Sequence, residues 1–444
     1  MTLIYRNHRK KLILFFILLL LGIWGLYEHN NFYSVPTTTL ELSEEYAEMP
    51  SDENHHYIEL PLDHFSSDDS RYKGFYKLSP HFNKNDKIIF LLTDGQMELV
   101  NTNYSFNFFE TIIGKSSYVI IGRRGHSPTL FPEVFNSDGS VDFKTAINLY
   151  SSKQHIEDIE MIRLDLIKKN LLGRNDKVAL FGASGAGVLA QQYISKYGDN
   201  VSRVILESTG APDLSKSNNV PYSHNFQDYN PEGDKLLEAL IKSEQFEKSN
   251  LSNILYQTGR ANKEPINSQI EILQSLKNGG GLFSYKFKPM FNMTFMNYMI
   301  KSPSALAVRV RWFELIGSDL MNYNEDSKPN LLYEFSKIFV SDFLEYCKNE
   351  NIKPKVFKLN RNDFTGEVLI LKGTEDVVFS DSINLKIKQT YPNSKIAFFN
   401  DGHRFMNNLD YYKELRLEFF KNGFKSSQFE NLFKNSRNIN QNLE

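Results

Sequence analysis

Residues Lys177 to Tyr197, KVALFGASGAGVLAQQYISKY, constrain the fold of this chain more tightly than any other stretch. Lys177 to Phe181 is a β-favouring apolar run that passes without a break into Gly182-Ala183-Ser184-Gly185-Ala186-Gly187, after which the pattern turns helical. Strand, sharp turn and helix in that order put Ser184 at the carboxyl end of a buried strand. The small flanking residues let the strand and helix backbones come close. The amide of Gly185 then stands beside a positive helix N-terminus, aimed at the place where an oxyanion would form. The G-x-S-x-G pattern is met except at its last position, where Ala186 precedes Gly187, and an ordinary β–α turn of a doubly wound sheet would read much the same.

A serine nucleophile needs a histidine to take its proton and a carboxylate to hold that histidine, following it in the order serine, acid, histidine. Beyond Ser184 the chain holds two histidines, His224 and His403. His403 lies in Asn400-Asp401-Gly402-His403-Arg404, directly after the strand-like run Lys395 to Phe399. Upstream, Val368 to Gly373 reads as a buried parallel strand, and the loop leaving it carries Glu375 and Asp376. Asp376 is assigned as the orienting acid, with Glu375 as the substitute. Between it and His403 there is room for one helix, about Ser380 to Tyr391, and one strand. Lys87 to Leu92 is another buried strand, and the loop after it, Thr93-Asp94-Gly95-Gln96, offers the Gly95 amide as a second oxyanion donor or is a plain strand-ending turn.

Composition excludes some functions. A formal net charge of −2 and the lack of a basic run after the first dozen residues give no electrostatic case for nucleic acid. Cys347 is the single cysteine, so neither an intramolecular disulfide nor a cysteine metal site can form. The N-terminus says more. Arg6, Arg9, Lys10 and Lys11 precede an uncharged run from Leu12 to Tyr27. Sixteen residues of helix span about 24 Å, enough to cross a bilayer if the flanking lysines snorkel. Basic residues on this flank place the N-terminus in the cytoplasm and the rest outside. The run reads as an uncleaved anchor, the alternative being a signal peptide removed on secretion.

The expected organisation follows. Residues 1–35 form a basic tip and transmembrane anchor, 36–56 a stalk, 57–210 and 364–425 an α/β core, 211–363 an inserted helical cap and 426–444 a flexible tail. The core opens with an antiparallel hairpin, Tyr57 to Leu62 and Tyr72 to Leu78, with Pro61 on an edge. Tyr118 to Ile121 and Val201 to Leu206 are further strands. His155 to Asn170 is an amphipathic helix whose Glu157, Asp158, Glu160 and Arg163 form a solvated face. Arg124 braces its loop or lines a cleft.

These residues resemble the prolyl and tripeptidyl aminopeptidases among the α/β-hydrolases, over about Tyr57 to Phe420. The likeness rests on Glu59-Leu60-Pro61-Leu62-Asp63-His64, Arg124-Gly125, the turn around Ser184, and the Asp376 and His403 loops. Thr93-Asp94-Gly95-Gln96-Met97 departs from that family's oxyanion loop, and Gly122 from the start of its Asp-x-Arg-Gly loop. The resemblance implies an α/β-hydrolase fold with a mostly parallel sheet and a serine hydrolase working through an acyl-enzyme without metal or cofactor. It further implies a short-peptide substrate whose free amine a cap carboxylate grips, for which Arg311-Trp312-Phe313-Glu314 makes Glu314 the candidate. The alternatives are a carboxylic ester hydrolase or acyltransferase with the same triad, or an inactive hydrolase fold used for binding. A small peptide or ester and the membrane are the expected partners.

Overall fold

The computed structural model describes residues 12–26, 52–92, 106–125, 131–282, 285, 299–324 and 328–438. Gly95 and residues 27–51, which hold most of the expected stalk, lie outside them. Eight strands build one sheet: β1 (His55–Pro61), β2 (Arg71–Leu78), β3 (Ile89–Leu92), β4 (Tyr118–Ile121), β5 (Val178–Ala183), β6 (Val201–Glu207), β7 (Glu367–Gly373) and β8 (Ser394–Phe399). Their spatial order is β1-β2-β4-β3-β5-β6-β7-β8. β2 runs antiparallel to β1 and β4, and every other pairing is parallel. β1 starts two residues before the expected strand and leaves Pro61, which has no N–H to give, on the sheet edge.

The helices in chain order are α1 (residues 12–26), α2 (Phe106–Ile113), α3 (Phe143–Leu149), α4 (Ser152–Lys168), α5 (Gly185–Tyr197), α6 (Pro212–Asn218), α7 (Phe226–Tyr229), α8 (Pro231–Lys242), α9 (Lys248–Ala261), α10 (Pro265–Lys277), α11 (Leu306–Leu320), α12 (Leu331–Asn349), α13 (Asp381–Thr390), α14 (Leu409–Asn422) and α15 (Ser427–Asn438). Strand side chains alternate between the two faces of the sheet. Val368 and Ile370 of β7 join the core with α4, α5 and the cap, while Leu369 and Leu371 join a second core with α2, α14 and α15. Both faces are therefore covered, which is why these strands read as unbroken apolar runs.

The described residues between β6 and β7 form helices and no strand. This segment leaves and returns at one point on α5. Gln191 donates to the Gly210 carbonyl (2.9 Å) and accepts from Arg361 (3.0 Å), and Arg361 also grips Asp213 of α6 with two contacts of 2.6 and 2.8 Å.

Two expectations are corrected. Within the expected tail, Ser427–Asn438 is not free but a helix whose Phe429 and Phe433, one turn apart, are buried. Lys395 of β8 lies over both rings, 5.6 and 5.4 Å from their centres, and pairs with Glu430 between them. Full burial of each phenylalanine is worth about 1.5–3 kcal/mol, which offsets the poor helix propensity of the Asn and Ser around them. The polar face of α4 is likewise not solvated. Asp158, Glu160 and Arg163 are buried, because the β1–β2 hairpin and α5 pack over it. Among the described residues no helix is long and apolar enough to cross a membrane; α1 covers 15 residues.

Candidate active site

Ser184 occupies the turn between β5 and α5 with φ 55° and ψ −128°, a left-handed conformation that costs a non-glycine residue about 1–3 kcal/mol. Its surroundings hold it there. Its amide donates to the Glu207 carbonyl at 2.9 Å, and its own carbonyl accepts from the Thr209 hydroxyl at 2.7 Å and the Gly187 amide at 3.1 Å. The displaced glycine now has a reason. A Cβ on Gly187 would lie 2.4 Å from Thr209 Oγ1, and one on Gly182 would lie 2.5 Å from the Ala186 carbonyl, whereas Ala186 fits where it is, buried. Gly182 and Gly187 are thus the positions where strand, turn and helix leave no room. Gly185 opens α5, so its amide sits at the positive end of that helix.

The acid and the base come from the loops that follow β7 and β8. Gly373 ends β7 against the His403 loop so closely that a Cβ would lie 2.4 Å from the Asp401 carbonyl. Asp401 stiffens that loop by accepting from the amides of Gly402 (2.8 Å), Met406 (3.0 Å) and Asn407 (2.8 Å) and from the Tyr412 hydroxyl (3.0 Å). The result is a continuous relay: His403 Nε2 is 3.1 Å from Ser184 Oγ, and His403 Nδ1 is 2.9 Å from Asp376 Oδ1. Asp376 Oδ1 also accepts from the Val378 amide at 2.8 Å. Of the two carboxylates considered, Asp376 is the one that meets the imidazole. Glu375 bonds the His403 loop through its backbone, its amide donating to the Asp401 carbonyl at 3.0 Å.

Asp376 has no side-chain exposure, and the His403 ring is buried to within 5%. Burial pushes the carboxyl up, but Lys372 and His403 beside it outweigh that and hold it well below the usual carboxylate range. For His403, burial and the neighbouring cations Arg260 and Lys372 outweigh Asp376, leaving the ring below its ordinary value and neutral as a base must be.

The strand order and the strained serine between β5 and α5 decide the architecture. This is the α/β-hydrolase fold. Neither a protein-family model nor a curated protein sequence matches the chain. Solved structures do. An esterase from Exiguobacterium antarcticum is 15% identical with a TM-score of 0.39, the match covering 78% of this chain and 96% of that one. An esterase from Rhodococcus sp. ECU1013 is 14% identical, TM-score 0.40, over 82% and 98% of the two chains. An α/β fold family hydrolase from Bacillus anthracis str. Sterne is 14% identical, TM-score 0.39, over 86% and 98%. Strand order and turn geometry, not these likenesses, carry the assignment of the α/β-hydrolase fold.

Glu314, the expected grip on a substrate amine, is bonded within the fold. Both its oxygens accept from the Ser152 amide at the first turn of α4, at 3.0 and 3.1 Å, and Arg311 Nη1 donates to it at 3.0 Å. Arg311 Nη2 in turn reaches the Gly185 carbonyl at 3.4 Å. Glu314 therefore ties the cap helix α11 to the starts of α4 and α5. Burial pushes its carboxyl up, opposed by Arg311 and the Ser152 amide. Glu314→Gln is expected to lower kcat/KM for unblocked aminoacyl anilides and for simple esters by the same factor. It should cost about 1–3 kcal/mol in urea unfolding, because buried Arg311 loses its counter-ion. A selective loss on unblocked anilides would return the residue to its expected role.

Two site residues were not singled out from sequence. Thr209 pins the Ser184 carbonyl, and nothing local marks it. Lys372 did leave a signal, a lysine inside the apolar strand Val368 to Gly373, and it is fully buried.

Proposed function

We propose that the protein is a serine hydrolase that cleaves carboxylic acyl compounds through an acyl-enzyme. The observation that carries the reading is the unbroken relay from Ser184 Oγ through His403 to Asp376. Ser184 Oγ attacks the substrate carbonyl carbon while His403 Nε2 takes its proton, and the Gly185 amide, with Gly95 as the expected partner, faces the oxyanion. The imidazolium, held by Asp376, passes the proton to the leaving group. Water then repeats the sequence on the acyl-enzyme, giving its proton to His403 and releasing the acid and Ser184. The site supports esters over unblocked peptides, since Glu314 is engaged within the fold. An aminopeptidase would need another carboxylate for the free amine.

A fluorophosphonate probe is expected to label the wild-type chain and not Ser184→Ala. Absence of labelling on the wild type, or equal labelling of both, would favour the inactive binding protein. A panel of p-nitrophenyl esters and aminoacyl anilides separates esterase from peptidase.

We further propose that the chain is tethered to a membrane by its first residues, with the catalytic domain outside. Support comes from α1, whose apolar side chains are exposed all round, including Leu12, Phe16, Leu20 and Trp24. Residues with that exposure are costly in water and cheap in lipid. The protein is expected to stay in the membrane pellet after alkaline carbonate extraction and to be cleaved by protease added outside intact cells. Release by carbonate would reject the tether.

A further inference from the structure

The side of Asp376 turned away from His403 is met by a buried cation. Lys372, on β7, brings its ammonium to 3.2 Å from Asp376 Oδ2, 3.4 Å from Asp381 Oδ1 and 3.1 Å from the Gly373 carbonyl. Neither Lys372 nor Asp376 has any side-chain exposure, while Asp381, on the first turn of α13, is 46% exposed. A lysine buried to this degree is costly unless its charge is answered, and here two carboxylates answer it. The Asp376 carboxylate is thus shared, Oδ1 to the imidazole and Val378, Oδ2 to the ammonium.

We infer that Lys372 is a positioning residue of the relay, a buried counter-ion on the far side of Asp376 that limits how strongly Asp376 holds a proton on His403. The inference rests on the serine-hydrolase reading for its catalytic meaning and on the geometry alone for its electrostatics.

The charge count explains why a third charge is useful. Two carboxylates beside one ammonium leave the cluster at −1, and protonation of His403 brings it to zero. Without the ammonium, the full charge of Asp376 would act on the ring, and the imidazolium would become too stable to return its proton to the leaving group. The other charged groups in reach do not replace it. Arg260 of α9 adds positive charge from the cap side of His403. His224, before α7, lies in the field of Lys372, Asp381 and Asp376, and burial and Lys372 push its own ring down. Glu375, which faces Glu264 and Asp401, adds negative charge around the same loops. Lys372 is the cation that touches the acid itself.

The test is the pH dependence of fluorophosphonate labelling in the full-length wild type, Lys372→Met and Asp381→Asn, with circular dichroism to establish that each is folded. The His403 ring is followed independently by histidine NMR, assigned by its loss in His403→Gln. In the wild type the acid limb is expected below the ordinary histidine value of about 6.5. Lys372→Met should move it up by about one pH unit, because the ring loses a cationic neighbour. Asp381→Asn should move it down, by less, since that carboxylate is half exposed. A purely structural lysine would lower the unfolding midpoint and leave both limbs unmoved, which would overturn the inference. If Lys372→Met does not fold, the Asp381→Asn limb decides alone. If the probe labels nothing, the hydrolase reading fails, and the NMR titration of Asp381→Asn against wild type still upholds or overturns the charge coupling.

Discussion

Ser184→Ala is expected to lower kcat for a p-nitrophenyl ester by about 10⁶-fold and Asp376→Asn by about 10⁴-fold, while Ser184→Ala combined with Asp376→Asn is no slower than Ser184→Ala alone. The reason is that the relay works as a unit. Asp376 acts only through His403, and His403 only through Ser184, so once the hydroxyl is gone nothing downstream has a proton to move. Asp376→Asn preserves shape but presents an amide to Nδ1, which favours the wrong tautomer and removes the charge that stabilises the imidazolium. Steady-state kinetics on the three purified proteins checks this. Losses that multiply in the double variant would mean that Asp376 acts independently of Ser184, and the relay would have to be abandoned.

Arg124→Met is expected to destabilise the fold by about 3–5 kcal/mol, the cost of leaving a buried carboxylate without its partner. Arg124 is fully buried and bonds Asp158 twice, at 2.7 and 3.1 Å, along with the carbonyls of Pro61 (2.9 Å), Leu62 (3.0 Å) and Leu149 (2.7 Å). Asp158 also accepts from His64 (2.7 Å) and Tyr72 (3.0 Å). One guanidinium therefore joins the hairpin to the end of α3 and to α4. Adding Asp158→Asn to Arg124→Met should restore part of the loss, because the orphaned charge is gone. Urea midpoints for the two variants decide the matter: a single-variant loss under 1 kcal/mol would show that the network is solvated and not structural.

Strands and helices were legible wherever burial on both faces or one face left a period in the residues. β4, β5, β7 and α13 lie where apolar runs and capping residues put them, and Ser380 accepts from the Ile383 amide at the start of α13 as an N-cap should. The helix α15 was missed because its two buried phenylalanines are set among Asn, Ser and Lys, and only the partner surface of α14 and β8 makes them count. Asp158 was misread, and the partners of Glu314 were not foreseen, for a related reason. A carboxylate on a helix looks the same in sequence whether water or an arginine from a distant segment faces it. Arg124 lies 34 residues from Asp158, and Ser152 lies 162 from Glu314.

By itself the sequence determined the order of elements, the turn that strains Ser184 and the candidate acid and base, since each depends on neighbours within a few positions. Tertiary structure alone decided that Glu314 bonds the start of α4 and that Lys372 stands behind the relay. Those outcomes depend on which charges meet when β5, β7 and β8 bring their loops to one end of the sheet, and Coulomb interactions at about 3 Å in a buried site are strong enough to choose among side chains that local pattern treats alike.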